Sequence, residues 1–216
     1  MANFAKIHLA GDVLNRGWHV CALFHDRDES YRVLLPFIKE GFDQGNRAVH
    51  ILGPGEREDL SRRLIQAGIN ISEAEQRGQL VVRSWDDTYI RNGSFDGDRQ
   101  TALIEELLAE GKACGFEVTR LIARMEWISQ DLPAVNQIIA HETQVNQTLE
   151  KYGCVGCWTY DLSKFSASAI MDLLRTHPLV LVGEVLYRNA FFVPPEELLR
   201  EHQQRANTNN ADANAD

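Results

Sequence analysis

The 216-residue sequence contains no apolar run approaching the roughly 20 residues that a bilayer-spanning helix needs. Its start lacks the basic-then-apolar order of a secretory leader. Met1 to Gly17 instead mixes Lys6, Asp12 and Arg16 with single apolar residues, so no leader is expected there. Cysteine is scarce: Cys21, Cys114, Cys154 and Cys157 lie largely inside apolar segments, which argues for a reduced, cytoplasmic protein. Positive charge is short as well. Lys and Arg number 22 against 31 Asp and Glu, a net charge of −9. That balance disfavours direct binding to nucleic acid or to an anionic membrane. HExxH is absent, and no local order of Ser, His and Asp or of Cys and His marks a nucleophile. Cys154-Val-Gly-Cys157 has no second CxxC to complete a zinc site, and an offset of three puts its side chains on opposite faces of a strand. No metal is expected on those grounds.

What is present is a chain with 44% hydrophobic residues, enough for one large core. It is organised around the stretch from His19 to Gly53. The apolar run His19 to Phe24, the polar turn His25 to Ser30, an amphipathic run to Asp43 and a second apolar run, Arg47 to Leu52, make one βαβ unit. Val33, Leu34, Phe37, Ile38 and Phe42 keep helical spacing, with a kink or restart expected at Pro36. Further strands are predicted at Gln79–Ser84, Thr119–Met125, Cys154–Tyr160 and Leu179–Val182, with Glu184–Arg188 as a hairpin partner. Helices are predicted at Glu56–Ala67, Ser72–Arg77 (on a Ser72/Glu75 capping box), Asp98–Gly115, from Pro133 through Leu149, and from Ser163 or Ser166 to Arg175. A last short helix should start at Glu196. The alternation implies an α/β fold, a mostly parallel central sheet with helices on both faces. Residues 1–16 read as a lead-in of helix or loop, 17–202 as the domain, and 203–216 as a polar, disordered tail.

The turn His25 to Ser30 occupies the place where nucleotide-binding α/β proteins hold phosphate. It has no glycine and no lysine, and it carries Asp26, Asp28 and Glu29. Carboxylates there would face phosphate, so ATP is not an expected cofactor. Gly53-Pro-Gly55 follows the second strand of the unit and lacks the third glycine of a dinucleotide fingerprint, so it reads as a loop. Glu126 stands where a P-loop protein puts its Walker B acid, with no phosphate loop to serve; it could equally accept from a neighbour such as Arg124. Ligands of open α/β sheets sit outside the carboxyl ends of the strands. That rule selects Phe24, His25, Asp26, Trp85, Glu126, Trp127 and Tyr160, an aromatic and acidic set suited to a small, partly apolar ligand. His19 and His177 lie near the amino ends of strands and read as structural. Glu142 and Asn146, one turn apart, should share a helix face.

Gly17-Trp-His-Val-Cys21, Phe37-Ile-Lys-Glu-Gly41, Ala48-Val-His-Ile51, Glu126-Trp127, Glu142 with Asn146, Cys157-Trp-Thr-Tyr-Asp161, Phe165, Arg175-Thr-His-Pro178 and Val193-Pro-Pro195 together resemble the MEDS domain (methanogen/methylotroph, DcmR sensory domain) across residues 15 to 200. The resemblance implies a RecA/KaiC-like P-loop fold with a degenerate nucleotide site. It implies a non-enzymatic sensory module for small hydrocarbon derivatives, in a family often joined to kinase, anti-sigma or DNA-binding segments. Here a stand-alone sensor signalling through a regulatory protein partner is expected, with homo-oligomerisation open. His19, Glu142, Asn146, Cys157 and His177 match family motif positions whose roles the match leaves open. The alternative is an enzyme on the same fold, either a divergent ATPase or a metal- or haem-using catalyst built on His25, His177 or the cysteines.

Overall fold

A computed structural model describes residues 5–90, 94–129, 135–194, 196–198, 200–201 and 204. The chain opens with a hairpin, β1 (Ile7–Leu9) paired antiparallel with β2 (Asp12–Leu14). The lead-in is therefore neither helix nor loop. Ala10 and Gly11 both hold positive φ, 50° and 83°, the two-residue turn geometry that matches strand twist. The hairpin packs on α1 and buries Ile7, Leu9 and Leu14.

The rest alternates: β3 (His19–Phe24), α1 (Arg27–Asp43), β4 (Arg47–Leu52), α2 (Arg57–Gln66), α3 (Ile71–Gln76), β5 (Leu80–Ser84), α4 (Gly97–Ala113), β6 (Thr119–Arg124), α5 (Val135–Tyr152), β7 (Val155–Asp161), α6 (Ala167–Leu174), β8 (Leu179–Val182) and β9 (Val185–Arg188). The strands form one sheet of order β5-β4-β6-β7-β3-β8-β9, parallel throughout except for β9. Strands buried on both faces favour apolar runs; β3 and β7 are largely apolar, whereas β4 and β6 are buried throughout although they carry Arg47, His50, Arg120 and Arg124.

Side chains alternate across the sheet and sort the core into two layers. Val20, Ala22, Phe24, Val155 and Cys157 pack with α1, α2 and α3 on one face. Cys21, Leu23, Cys154, Trp158 and Tyr160 pack with α4, α5 and α6 on the other. Cys154 and Cys157 thus point to opposite faces.

Two local readings change. α1 runs without interruption through Pro36. The proline removes the N–H that would meet the Arg32 carbonyl, but Arg32 is solvent-exposed, so water can take that acceptor and the helix survives. α3 starts at Ile71, capped by the Asn70 side chain accepting from Glu73 N–H at 3.2 Å, so the capping pair is Asn70 and Glu73 rather than Ser72 and Glu75. At the C-terminal side, helical residues begin at Glu196 and Leu198 is buried. Pro133 and residues 205–216 lie outside the described residues.

Candidate functional site

The turn after β3 is closed by its own carboxylates. Asp26 caps α1, accepting from Glu29 N–H at 2.8 Å, and Glu29 Oε2 accepts from His25 N–H at 2.6 Å. Amides that cradle a phosphate in a nucleotide-binding turn are here already paired. His25 and Asp26 face solvent.

The carboxyl edge of the sheet holds a cavity of about 200 Å³ lined by Arg27, Gly53, Trp85, Arg124, Glu126 and Asp161, among others. Trp85 lies directly on Gly53, where any Cβ would come within 2.8 Å of the indole ring. Its indole N–H donates to the Arg124 carbonyl at 2.8 Å. Arg124 holds Glu56 at 3.5 Å and Glu126 at 3.9 Å, while Arg27 meets Glu56 at 2.5 Å. Burial raises the Glu126 carboxyl above its ordinary range, with Arg124 pulling against it. The carboxyl edge of the sheet is therefore an ion-pair network.

Of the seven residues selected at the strand ends, only Trp85 and Glu126 line this cavity. Phe24 is buried in the opposite layer with α1. Trp127 and Tyr160 turn into the α5 layer. There Trp127 stacks between Tyr89 (ring centroids 4.8 Å) and Phe95 (5.0 Å), and His141 sits edge-on to both partners. A hollow of about 420 Å³, lined by Phe95, His141 and the chain from Ser94 to Asp98, lies against this stack. Among the described residues, Tyr89 Oη, Trp127 Nε1 and Tyr160 Oη are buried without a hydrogen-bond partner. Burial holds both phenols well above their usual range. Tyr89, Phe95 and His141 were not singled out from sequence, since they sit on loop and helix away from any strand end. A larger groove of about 710 Å³ runs along the exposed side of α1, lined by Asp28, Arg32, Lys39 and Asp43, remote from these aromatics.

Deeper in the same layer, three residues converge. Glu142 Oε2 on α5 lies 3.5 Å from His19 Nδ1 and 3.7 Å from His177 Nε2, all three side chains buried. Asn146, one turn along α5, places Oδ1 3.1 Å from the same His19 Nδ1, so Glu142 and Asn146 share a helix face. Gly156 makes the approach of α5 possible: a Cβ there would come within 2.7 Å of Leu149 Cδ1 and 3.1 Å of the Trp158 ring. The Trp158 ring stands edge-on to His19 at 4.4 Å, and His177 is 4.3 Å from His19 and 6.1 Å from Tyr160. Burial lifts the Glu142 carboxyl to about 8; the nearby Trp158 indole opposes the rise without completing a hydrogen bond. Burial drives His177 down to about 4 and His19 well below its usual value, with His177 adding to the effect on His19. The two histidines meet because β3 and β8 pair in parallel, Val20 opposite Leu179, which aligns their amino ends. That shared position before neighbouring strands was the available signal.

The thiols are muted. Burial pushes Cys157 to about 12 and Cys21 well above its ordinary value. Neither has the thiolate character of a nucleophile.

A family model described as the MEthanogen/methylotroph, DcmR Sensory domain matches residues 18–178. The chain is 24% identical over 177 residues to the transcriptional repressor DcmR of Methylorubrum extorquens, covering 81% of this chain and 63% of the repressor. The match thus spans less than two thirds of that protein. A KaiC-like protein from the hyperthermophilic archaeon Pyrococcus horikoshii superposes with a TM-score of 0.54 at 18% identity, covering 76% of this chain and 70% of the other. That likeness places the sheet and its helices in the KaiC/RecA-like fold. No described helix is long and apolar enough to cross a membrane.

Proposed function

The chain belongs to the MEDS sensory-domain family, and from that premise we propose that it binds a small hydrocarbon derivative in its α5 layer and passes the bound state to a regulatory protein. One observation carries this reading. Trp127 Nε1 is buried without a hydrogen-bond partner among the described residues and Tyr89 Oη, with Gln100 beside it, completes none, next to a hollow lined by Phe95 and His141 together with Ser94, Asp96 and Asp98. Leaving a buried polar group unpaired costs about 1–3 kcal/mol, so such groups concentrate where a ligand completes them. Phe95 and the His141 ring give the hollow its apolar part and Ser94, Asp96 and Asp98 its polar part, a mixed lining that a small ligand with a polar group can match.

The protein acts by binding. Its buried thiols are held protonated, and the nucleotide turn is paired with its own carboxylates. Similarity to a transcriptional repressor supports a regulatory output. Of the strand-end residues, Trp127 and Tyr160 belong to this ligand layer, whereas Trp85 and Glu126 belong to the ion-paired edge.

Calorimetry with short-chain alcohols, aldehydes, amines and thiols tests the site. Tyr89→Phe removes only the hydroxyl; it should lower the affinity of the best binder about tenfold, the value of one hydrogen bond of ~1.4 kcal/mol. Equal affinity in wild type and Tyr89→Phe would contradict this placement.

A further inference from the structure

We propose that His19, Glu142 and His177 form a binding site for a divalent transition-metal ion of the zinc or iron(II) class. The site lies within the α5 layer, but the argument for it does not depend on the small-molecule reading.

The three residues come from β3, α5 and the turn before β8, and one donor atom from each lies within 4.8 Å of the others. Ligands of a tetrahedral zinc ion, bonded at about 2.0–2.1 Å, stand about 3.3–3.4 Å apart. The observed separations from Glu142 Oε2, 3.5 and 3.7 Å, approach that spacing. They are too long for hydrogen bonds, so none joins Glu142 to either histidine.

The proton on His177 is placed by its surroundings. Its Nδ1 lies 2.8 Å from Thr176 Oγ1 and 2.9 Å from the Leu173 carbonyl; because the Thr176 hydroxyl itself donates to that carbonyl at 2.8 Å, both oxygens act as acceptors toward Nδ1–H, and Nε2 then presents a lone pair. That lone pair faces Glu142, and no described residue donates to it. A ring nitrogen fixed by a backbone carbonyl, with the other nitrogen aimed at a common point, is the usual support of a metal-binding histidine. Both Glu142 oxygens likewise have no hydrogen-bond partner among the described residues, although the side chain is buried. A lone carboxylate there would be expensive, and a cation between the three groups offsets that cost. In the ion-free chain Asn146 Oδ1 accepts from His19 Nδ1–H at 3.1 Å, so an ion held at Nδ1 requires the other tautomer, with the ring hydrogen on the unpartnered Nε2.

The donor set selects the ion. Two imidazoles and one carboxylate suit zinc, iron(II) or cobalt(II), whereas calcium and magnesium take oxygen ligands. With three amino-acid donors of this kind, one coordination position remains for an exchangeable group, beside Trp158 and Tyr160.

The experiment is titration of the chelator-treated full chain with Co²⁺ followed by visible absorption, and with Zn²⁺ followed by thermal melting. The proposal expects one ion per chain, ligand-field bands of low coordination without a thiolate charge-transfer band, and a Tm that rises with Zn²⁺. Glu142→Gln keeps the side-chain shape and should weaken binding at least tenfold; Cys114→Ser should change nothing. Absence of bands in the wild type, a thiolate charge-transfer band, or equal affinity in Glu142→Gln would each overturn it. The wild-type titration decides even if the Glu142→Gln chain does not fold.

Discussion

His19 Nδ1 faces two side chains of α5 at once, Asn146 Oδ1 at 3.1 Å and Glu142 Oε2 at 3.5 Å. The pair of contacts fixes the rotation of α5 against the sheet, and Gly156 permits its closeness. Asn146→Ala should cost about 1–3 kcal/mol, because it leaves a buried ring nitrogen short of its partner. Gly156→Ala should cost a similar amount, about 1–3 kcal/mol, through overpacking against Leu149 and Trp158. Chemical denaturation of both variants measures these losses; wild-type stability in either would mean that α5 does not sit as described.

ATP should not bind with micromolar affinity. The Glu29 and His25 amides of this turn are engaged by Asp26 and Glu29, and both carboxylates would oppose a phosphate. Calorimetry with magnesium and ATP checks this. Asp26→Ala should cost about 1 kcal/mol of stability through the lost cap, without creating nucleotide affinity.

Trp127 is a core residue as well as a wall. It is only 2% exposed and stacked with both Tyr89 and Phe95. Trp127→Ala should therefore lose about 3–5 kcal/mol. A loss below about 1 kcal/mol would show that the stack is loose.

Stability should fall as pH drops from about 6.5 toward 4. Burial lowers His50 on β4 to about 4, with the nearby Arg124 adding to the effect. At His50 the unfolded chain then binds a proton near pH 6.5 that the folded chain refuses until about 4, so this residue's contribution is full above 6.5 and is lost on acidification through that window. The shift corresponds to about 3 kcal/mol from this residue at most. His50→Asn should flatten that part of the pH profile in thermal melts; an unchanged slope would contradict the assignment.

Much of the fold was legible because parallel strands must be apolar on both faces. His19–Phe24, Arg47–Leu52 and Leu179–Val182 are bounded in sequence as they are in the structure. The amino-terminal hairpin was not, because strands of three residues show no period and Ala10 is not a turn-forming residue. The strand-end rule found Trp85 and Glu126 at the edge cavity. It could not find the grouping of His19, Glu142 and His177, which depends on the register of β3 against β8 and on which face α5 turns inward. Neither is written in local sequence.

The central claim is that the proposed ligand binds in the α5 layer and not at the carboxyl edge of the sheet, and the four tryptophans report on it directly. The Trp85 indole N–H already donates to the Arg124 carbonyl at the carboxyl edge of the sheet, while the Trp127 indole N–H has no described partner. The measurement is the indole region of the ¹H–¹⁵N spectrum, assigned by Trp→Phe variants, during titration with short-chain hydrocarbon derivatives. The account predicts a saturable shift of Trp127 with Trp85 and Trp18 unmoved. A saturable shift of Trp85 with Trp127 unmoved, or no saturable shift with any compound of the series, would contradict it.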